Sequence, residues 1–294
     1  MNILQISNKA IFPPDGGTIA TLNLAKAYAY LGHNIHLLNM LTHKHSNNQK
    51  LIPKELRHKI TLDGVKVNTN TSNLKALKNL LFSKLPYNAE RFISENFRKH
   101  LINLLKTKDF DIIQIEGLYP LLYLSDIKNN SNALVAYRSH NIEHEIWKGI
   151  AKEKNNIFIK TYLKILSKRI LNLEKKYLNK YDVILPISSN DAISYKKLNC
   201  NIPIHTTTAG VNISEFDKIK VQTTNSNSLF YIGALDWQPN QNGLLWFIKN
   251  VWAQIIIDNK DIKFYIAGRN APKWFENKIS MKNIIYLGEI KNAY

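Results

Sequence analysis

Five short runs rich in β-branched and other apolar residues punctuate the first two thirds of the chain: Ile3-Leu4-Gln5-Ile6, Ile35-His36-Leu37-Leu38, Asp111-Ile112-Ile113-Gln114-Ile115, Leu134-Val135-Ala136-Tyr137 and Val183-Ile184-Leu185. Stretches with helical periodicity separate them. Between the first two, Leu22, Ala25 and Ala29 recur at spacings of three and four, which puts them on one helix face, and Gly32 stops that helix. Phe97, Leu101, Leu104 and Leu105 form a second such face ahead of the strand that starts at Asp111. Strand, helix and strand repeated in this order predict parallel α/β layers.

The same rhythm restarts further on. The polar stretch Gln222-Thr223-Thr224-Asn225-Ser226-Asn227-Ser228 reads as a linker, and beyond it come Leu229-Phe230-Tyr231-Ile232, a helix around Leu244 to Ile257, Lys263-Phe264-Tyr265-Ile266 and Ile284-Ile285-Tyr286-Leu287. We therefore expect two domains, 1–222 and 223–294, in a chain of 294 residues. The 68 residues from Asn227 to Tyr294 are fewer than a doubly wound domain needs, so the second domain is expected to be incomplete. No internal repeat is present, which excludes solenoids and propellers.

Composition narrows the class of protein further. With 45% hydrophobic and 21% charged residues the chain is a folded globular protein rather than a disordered one. Its single cysteine, Cys200, can form neither an internal disulfide nor a cysteine-based zinc site, which suits a reducing, cytoplasmic setting. The N-terminus lacks the basic segment and long apolar core of a signal peptide, and no run reaches the roughly 20 apolar residues of a spanning helix. A net charge of +18 favours anionic partners but does not choose among nucleotides, acidic lipids and nucleic acid. The longest helical pattern, about Phe158 to Tyr181, carries the stripe Phe158, Tyr162, Ile165, Leu166, Leu173 and Tyr177, with Lys160, Lys164, Lys168 and Lys175 opposite. That basic face is either solvated or a peripheral contact with anionic membrane, and Leu74, Leu77, Leu81 and Leu85 beside Lys75, Lys78 and Lys84 pose the same choice.

Gly16-Gly17-Thr18 follows the first strand and opens the first helix, so backbone N–H groups there can approach an anion with no Cβ in the way. The spacing is not the dinucleotide G-x-G-x-x-G, and the chain has no Gly-Lys-Ser/Thr phosphate loop. Asp15-Gly16-Gly17, Leu24-Ala25 and Leu31-Gly32-His33-Asn34-Ile35 together resemble the N-terminal signature of GT-B glycosyltransferases of the retaining family 4 type. Arg138-Ser139-His140-Asn141-Ile142-Glu143 ends a strand where that family places a histidine facing the donor sugar. Ala209-Gly210-Val211-Asn212 followed by Phe216 is similar to the segment before the domain crossover. Tyr231-Ile232-Gly233-Ala234-Leu235-Asp236-Trp237, Ile266-Ala267-Gly268-Arg269 and Tyr286-Leu287-Gly288-Glu289 resemble successive strand ends of the nucleotide-sugar domain.

The resemblance implies two Rossmann-like domains facing a cleft, the first on the acceptor side and the second holding a nucleotide-sugar donor. It implies sugar transfer to a glycan or lipid-linked acceptor with no metal cofactor. His140 would contact the donor sugar, and Gly16, Gly17, Gly233, Arg269 and Glu289 would lie on the donor and its diphosphate. Fixed N–H dipoles and cations placed where charge develops on the leaving diphosphate would supply most of the catalysis. The chain departs from the family in two places. The loop Asp236-Trp237-Gln238-Pro239-Asn240 lacks the usual basic residue, and the sequence stops before the paired-glutamate element, as a fragment of a longer enzyme would. The alternative reading is an inactive, truncated homologue that only binds the acceptor.

Other motifs have blander readings. Asp109-Phe110-Asp111 matches the metal-binding D-x-D of the GT-A architecture but sits just before a strand, where Asp serves turns. His140 and His144 with Glu143 and Glu145 do not form His-Glu-x-x-His, so no metal site is expected there. His43-Lys44-His45 reads as a polar loop with no specific task, and Trp246 and Trp252 as core residues of one helix. Only the net charge speaks for nucleic-acid binding; no motif accompanies it, and none is expected.

Overall fold

The first apolar run becomes β1 (Asn2–Ser7), the centre of a sheet in a computed structural model that describes residues 1–213 and 227–290. Two units result, Met1–Val211 and Asn212–Tyr294. The linker expected from Gln222, the 222/223 boundary and Phe216 lie outside the described residues.

In the first unit β1 is flanked by β2 (Asn34–Leu41), β3 (Ile60–Lys66), β4 (Ile112–Glu116), β5 (Leu134–Ser139) and β6 (Val183–Pro186). Their order is β3-β2-β1-β4-β5-β6, with every neighbouring pair parallel. Successive residues of a strand point to opposite faces, so β1 sends Ile3 to one core and Leu4 and Ile6 to another. On the first face α1 (Gly16–Tyr30) packs Leu22, Ala25 and Ala29 against Ile35 and Leu37. On the second face α4 (Glu95–Thr107) contributes Phe97, Leu101, Leu104 and Leu105, all buried as their spacing predicts. Fully burying a side chain such as Phe97 is worth about 1.5–3 kcal/mol. The strand β3 has no counterpart among the predicted runs. Asp63 and Gly64 interrupt its apolar residues, and it holds its place at the sheet edge through backbone pairing with β2.

Between β3 and α4 lie α2 (Asn73–Phe82) and the single turn α3 (Tyr87–Glu90). The connections after β4 and β5 carry α5 (Leu124–Asn130), α6 (Glu143–Glu153) and α7 (Ile157–Tyr177), and α8 (Ser189–Lys197) follows β6. The stripe expected on α7 is corrected by the structure. Leu163, Leu166, Ile170, Leu173 and Tyr177 form the buried face, whereas Phe158 is 83% exposed and Ile165 37%. The buried set repeats at three and four residues, and the first turn of the helix extends past the core it covers. Helix α2 is inverted: Leu74, Leu77, Leu81 and Phe82 face solvent while Asn79 is buried. Arg169 of α7 fixes that orientation by donating to the Asn79 carbonyl at 3.2 Å and the Leu80 carbonyl at 2.8 Å.

The second unit holds β7 (Ser228–Ile232), β8 (Lys263–Ala267) and β9 (Ile284–Gly288), parallel and in that order. Helix α9 (Gln238–Phe247) continues through a wider turn over Ile248–Trp252 into α10 (Ala253–Asp258), and α11 (Lys273–Ile279) precedes β9. Leu235, Leu244, Ile248, Trp252, Phe264, Ile266 and Phe275 make its core. Trp252 is buried as expected, but Trp246 is 62% exposed. Six residues apart, the two cannot share one face of a helix.

Candidate functional site

Parallel strands carry their C-terminal ends to one edge of a sheet, and that edge is where α/β folds gather ligands. In the first unit the loop after β1, the end of β4 and the residue after β5 meet there. Glu116, the last residue of β4, is wholly buried. Its Oε2 accepts from His140 Nε2 at 2.6 Å, from Arg138 Nη1 at 3.2 Å and from Thr21 Oγ1 at 3.2 Å. Its Oε1 accepts from Gln5 Nε2 at 3.4 Å and from Gln114 Nε2. Burial alone would raise the Glu116 carboxyl. The hydrogen bond and charge of His140, the charge of Arg138 and the Gln114 hydrogen bond outweigh it and hold the group below its ordinary value.

An ionised carboxylate only accepts, so the 2.6 Å contact puts a hydrogen on His140 Nε2 and leaves Nδ1 as the ring nitrogen that this carboxylate does not take. Nδ1 points at the start of α1: a Cβ on Gly17 would stand 3.2 Å from it and 3.3 Å from Lys9 Nζ. Glycine at 17 leaves both groups room with nothing to displace, whereas a Cβ at Gly16 would meet open space. Asp15 caps the helix, its Oδ1 accepting from the Thr18 N–H at 2.9 Å while the Thr18 hydroxyl is bound to the Asp15 N–H at 2.7 Å. The N–H groups of Gly16 and Gly17 sit in the first turn, where the helix itself provides no acceptor. Lys9 Nζ bonds both Asp15 oxygens, at 2.8 and 2.6 Å. Burial raises the Asp15 carboxyl, but hydrogen bonding to His45, the charge and hydrogen bonds of Lys9 and the Thr18 N–H bring it well below the carboxylate range.

Glu143 behaves in the opposite way. Partly buried in the first turn of α6, it is pushed up to about 7 by burial and by the nearby Glu174 charge, against smaller opposing effects of Trp147, His140 and Lys9. In the unfolded chain this carboxyl ionises near 4.5. Between 4.5 and 7 the unfolded state therefore sheds a proton that the folded state keeps, and stability falls as pH rises through that window. Glu143→Gln removes the penalty. Its stability should match the wild type near pH 4 and exceed it at pH 8 by about 1–2 kcal/mol after allowing for solvent near the group, read as a higher melting midpoint at pH 8 only. A difference that is the same at both pH values would show that the carboxyl is not raised.

In the second unit, Gly233, Arg269 and Glu289 follow the C-terminal ends of β7, β8 and β9 respectively, so three adjacent strands bring them to one sheet edge. Leu235 N–H donates to the Arg269 carbonyl at 3.0 Å, and Gly268 N–H to the Gly288 carbonyl at 2.9 Å. A Cβ on Gly268 would stand 2.1 Å from the Gly233 carbonyl oxygen, so only glycine lets these strand ends approach. Asn270 Nδ2 donates to Asp236 at 3.2 Å, tying the loop after β7 to the loop after β8.

The expected residues thus fall into two groups: His140 with Gly17 and Gly16 in one unit, and Gly233, Arg269 and Glu289 in the other. Gly210 is anchored to the first group's helix, its carbonyl accepting from Asn23 Nδ2 at 3.0 Å. Sequence reasoning missed Glu116 and Lys9. A glutamate ending a Val/Ile-type strand run, Ile112-Ile113-Gln114-Ile115-Glu116, was the available signal for the first, since a central strand tolerates a charge only when it is paired. Asp111 of the D-x-D has a structural role, its Oδ2 accepting from the Asn2 N–H at 2.7 Å. Among the described residues no cluster of three or more His, Cys, Asp or Glu could hold a metal, and no helix is long and apolar enough to cross a membrane.

No family model matches the chain. Among curated proteins it is 27% identical over 204 residues to an uncharacterized 44.6 kDa protein in the cps region of Klebsiella pneumoniae. That match takes in 68% of this chain and 49% of the relative, so the chain spans about half the length of the curated relative it matches. Among solved structures, sucrose-phosphate synthase from Thermosynechococcus elongatus superposes with a TM-score of 0.62 at 11% identity, over 99% of this chain and 71% of that one. TarM superposes at 0.60 with 11% identity, over 99% and 77%, and HepE from Anabaena, in complex with UDP-glucose, at 0.56 with 10% identity, over 99% and 69%. The parallel sheets, the ordered strand-end motifs and these superpositions agree on one architecture: the chain has the GT-B fold of glycosyltransferases.

Proposed function

We propose that the chain belongs to a retaining glycosyltransferase of the family 4 type, moving a sugar from a nucleotide-sugar donor to a glycan or lipid-linked acceptor in polysaccharide or glycoconjugate assembly. The observation that carries the reading is the His140 ring, clamped by Glu116 through Nε2, with Nδ1 presented beside Gly17 at the start of α1. In the reaction the bond between the anomeric carbon and the diphosphate breaks, and the acceptor hydroxyl bonds that carbon on the same face. The hydroxyl proton leaves with the diphosphate oxygen. His140 Nδ1 orients the donor sugar as positive charge spreads over its ring, and the first-turn N–H groups of α1 oppose the charge left on the diphosphate. In the second unit Gly233, Arg269 and Glu289 would serve the donor, and none of these steps calls for a metal. The lone cysteine and a nucleotide-sugar substrate both suit the cytoplasm.

HepE was solved with UDP-glucose, which makes uridine diphosphate sugars the first donors to try. Titrating the 294-residue chain with UDP-glucose, UDP-N-acetylglucosamine and GDP-mannose while following heat or tryptophan fluorescence tests the reading. Saturable binding of one donor, with slow nucleotide release, is expected. Saccharide binding with no nucleotide binding would instead favour an inactive homologue that only holds an acceptor.

The outward apolar face of α2 adds a peripheral membrane contact to this proposal. Leu74, Leu77, Leu81 and Phe82 are 80, 53, 66 and 81% exposed, and Lys75, Lys78 and Lys84 are exposed beside them. Apolar groups flanked by ammonium groups fit the interface of an anionic bilayer. Leu81→Asp combined with Phe82→Asp should abolish sedimentation with vesicles of 30 mol% phosphatidylserine, on the order of a tenfold loss, and salt should weaken the wild-type binding. Binding that ignores both changes would remove the membrane from the reading.

A further inference from the structure

At the opposite edge of the first unit's sheet, where the strands begin, lies a cavity of about 550 Å³, within the range usual for small-molecule sites. It opens between the first residues of β1 and β2, the loop that leads into β3 and the turn that joins α4 to β4. A strand rises about 3.3 Å per residue, so the six residues of β1 separate this cavity from the edge that carries Gly17 and His140 by roughly 16 Å. A small molecule cannot span the two. Parallel α/β sheets gather their ligands at the other edge, so the fold alone gives no reason for a polar cavity here.

A buried histidine builds one wall. His36 of β2 pairs through Nε2 with Asp63 Oδ2 at 3.1 Å, and the same oxygen takes His100 Nε2 of α4 at 2.7 Å. Burial lowers the His36 imidazole, the Asp63 hydrogen bond opposes this and the Lys108 charge adds to it, which leaves the ring below its ordinary value and neutral at pH 7. Its Nε2 then donates to the carboxylate, and Nδ1 is an acceptor. Lys108 Nζ stands 3.5 Å from that Nδ1, which holds the ammonium group at the cavity wall. Lys59, also in the wall, donates to the Ala29 carbonyl at the end of α1, at 3.3 Å. Both contacts are longer than the roughly 2.7–3.2 Å of a well-formed bond, and each ammonium group has further hydrogens to give. No carboxylate pairs with Lys59 or Lys108 among the described residues. The exposed His58 lies beside Lys59, and Asp109 is the one carboxylate in the lining.

We infer that this cavity binds a small phosphorylated polyol, a ligand separate from the substrates of the His140 site, with Lys59, Lys108 and His58 taking the phosphoryl oxygens and Asp109 and Thr61 the hydroxyls. Two ammonium groups against one carboxylate leave the wall positive, and charge-assisted bonds from ammonium to phosphoryl oxygen are the strong ones. Asp109 repels a bare anion but accepts from hydroxyl groups, so the ligand that satisfies the whole lining carries both. Occupancy would also brace the unit. Through Lys59 the ligand is tied to the C-terminal end of α1, and through Lys108, His36 and Asp63 to β2, β3 and α4. The inference stands apart from the glycosyl-transfer reading, which makes no use of this edge.

The test is a calorimetric titration of the 294-residue chain with glucose 6-phosphate, glucose and inorganic phosphate. Glucose 6-phosphate should bind at least tenfold more tightly than glucose and at least threefold more tightly than inorganic phosphate, and it should raise the melting midpoint. Lys108→Met, at an exposed position, should weaken that binding at least fivefold and Lys108→Arg restore most of it; His58→Ala, also exposed, should weaken it at least twofold. Saturating UDP should leave it unchanged, because the two edges are far apart. Glucose 6-phosphate that fails to bind, that binds no better than glucose or inorganic phosphate, that ignores Lys108→Met and His58→Ala, or that is displaced by UDP would overturn the inference. UDP-glucose is titrated separately into the wild type: its failure to bind would sink the glycosyl-transfer reading and leave the glucose 6-phosphate result standing.

Discussion

Glu116→Ala is expected to destabilise the first unit by about 3–5 kcal/mol, a fall in melting midpoint of roughly 10 °C. The carboxylate is wholly buried and takes hydrogen bonds from five side chains, and Arg138 opposite it is 1% exposed. Without Glu116 the guanidinium keeps its charge in a dry interior, and Gln5, Gln114 and Thr21 lose an acceptor at once. Glu116→Gln keeps the shape and one acceptor oxygen, so it should lose less than the alanine variant. Its deficit should also depend on acidity. Because the folded state holds the carboxyl below its unfolded value, the stabilisation by Glu116 is present above about pH 4.5 and fades as pH falls through the folded value. Thermal melts of both variants at pH 7.5 and pH 3.5 check this. A Glu116→Ala midpoint within 2 °C of the wild type would mean that the buried network is not what holds β4, β5 and α1 together.

Much of the scaffold around that network was legible from periodicity. Leu22, Ala25 and Ala29, and Phe97, Leu101, Leu104 and Leu105, lie where their spacing put them, because helices packed on a sheet must repeat their buried positions at three and four residues. The five predicted strand runs are all strands. What was not legible depends on contacts distant in sequence. β3 is held by pairing with β2, and α2 turns its leucines outward because Arg169, some ninety residues later, takes its backbone carbonyls. The site divides in the same way. Gly17 and His140 stood out as a glycine at a helix start and a histidine at a strand end. Glu116, which orients His140, and Lys9, which pairs with the Asp15 cap beside Gly17, did not, since nothing local marks a strand-end glutamate as the partner of a histidine 24 residues away.

On the proposed glycosyl transfer, the largest effect on activity is expected from His140. The ring is only 19% exposed, its Nε2 is committed to Glu116, and Nδ1 is the one atom of the pair that can reach a substrate. His140→Ala leaves Glu116 with Arg138, Thr21 and the two glutamines, so the unit should stay folded and keep binding donor, while transfer falls at least tenfold and by up to about a thousandfold if Nδ1 contacts the sugar in the transition state. The loss should appear in kcat rather than in KM for the donor, because an interaction that strengthens as the anomeric carbon becomes positive is weak in the ground state. Glu116→Gln makes the complementary case. An amide in place of the carboxylate can donate to Nε2 as well as accept from it, so the hydrogen on Nε2 is no longer enforced, and kcat should fall with the ring still in place. If Glu116→Gln melts close to the wild type yet turns over slowly, the carboxylate acts through His140. If His140→Ala keeps wild-type turnover, Nδ1 does not touch the reacting sugar, and the chemistry must be sought among Gly233, Arg269 and Glu289 of the second unit.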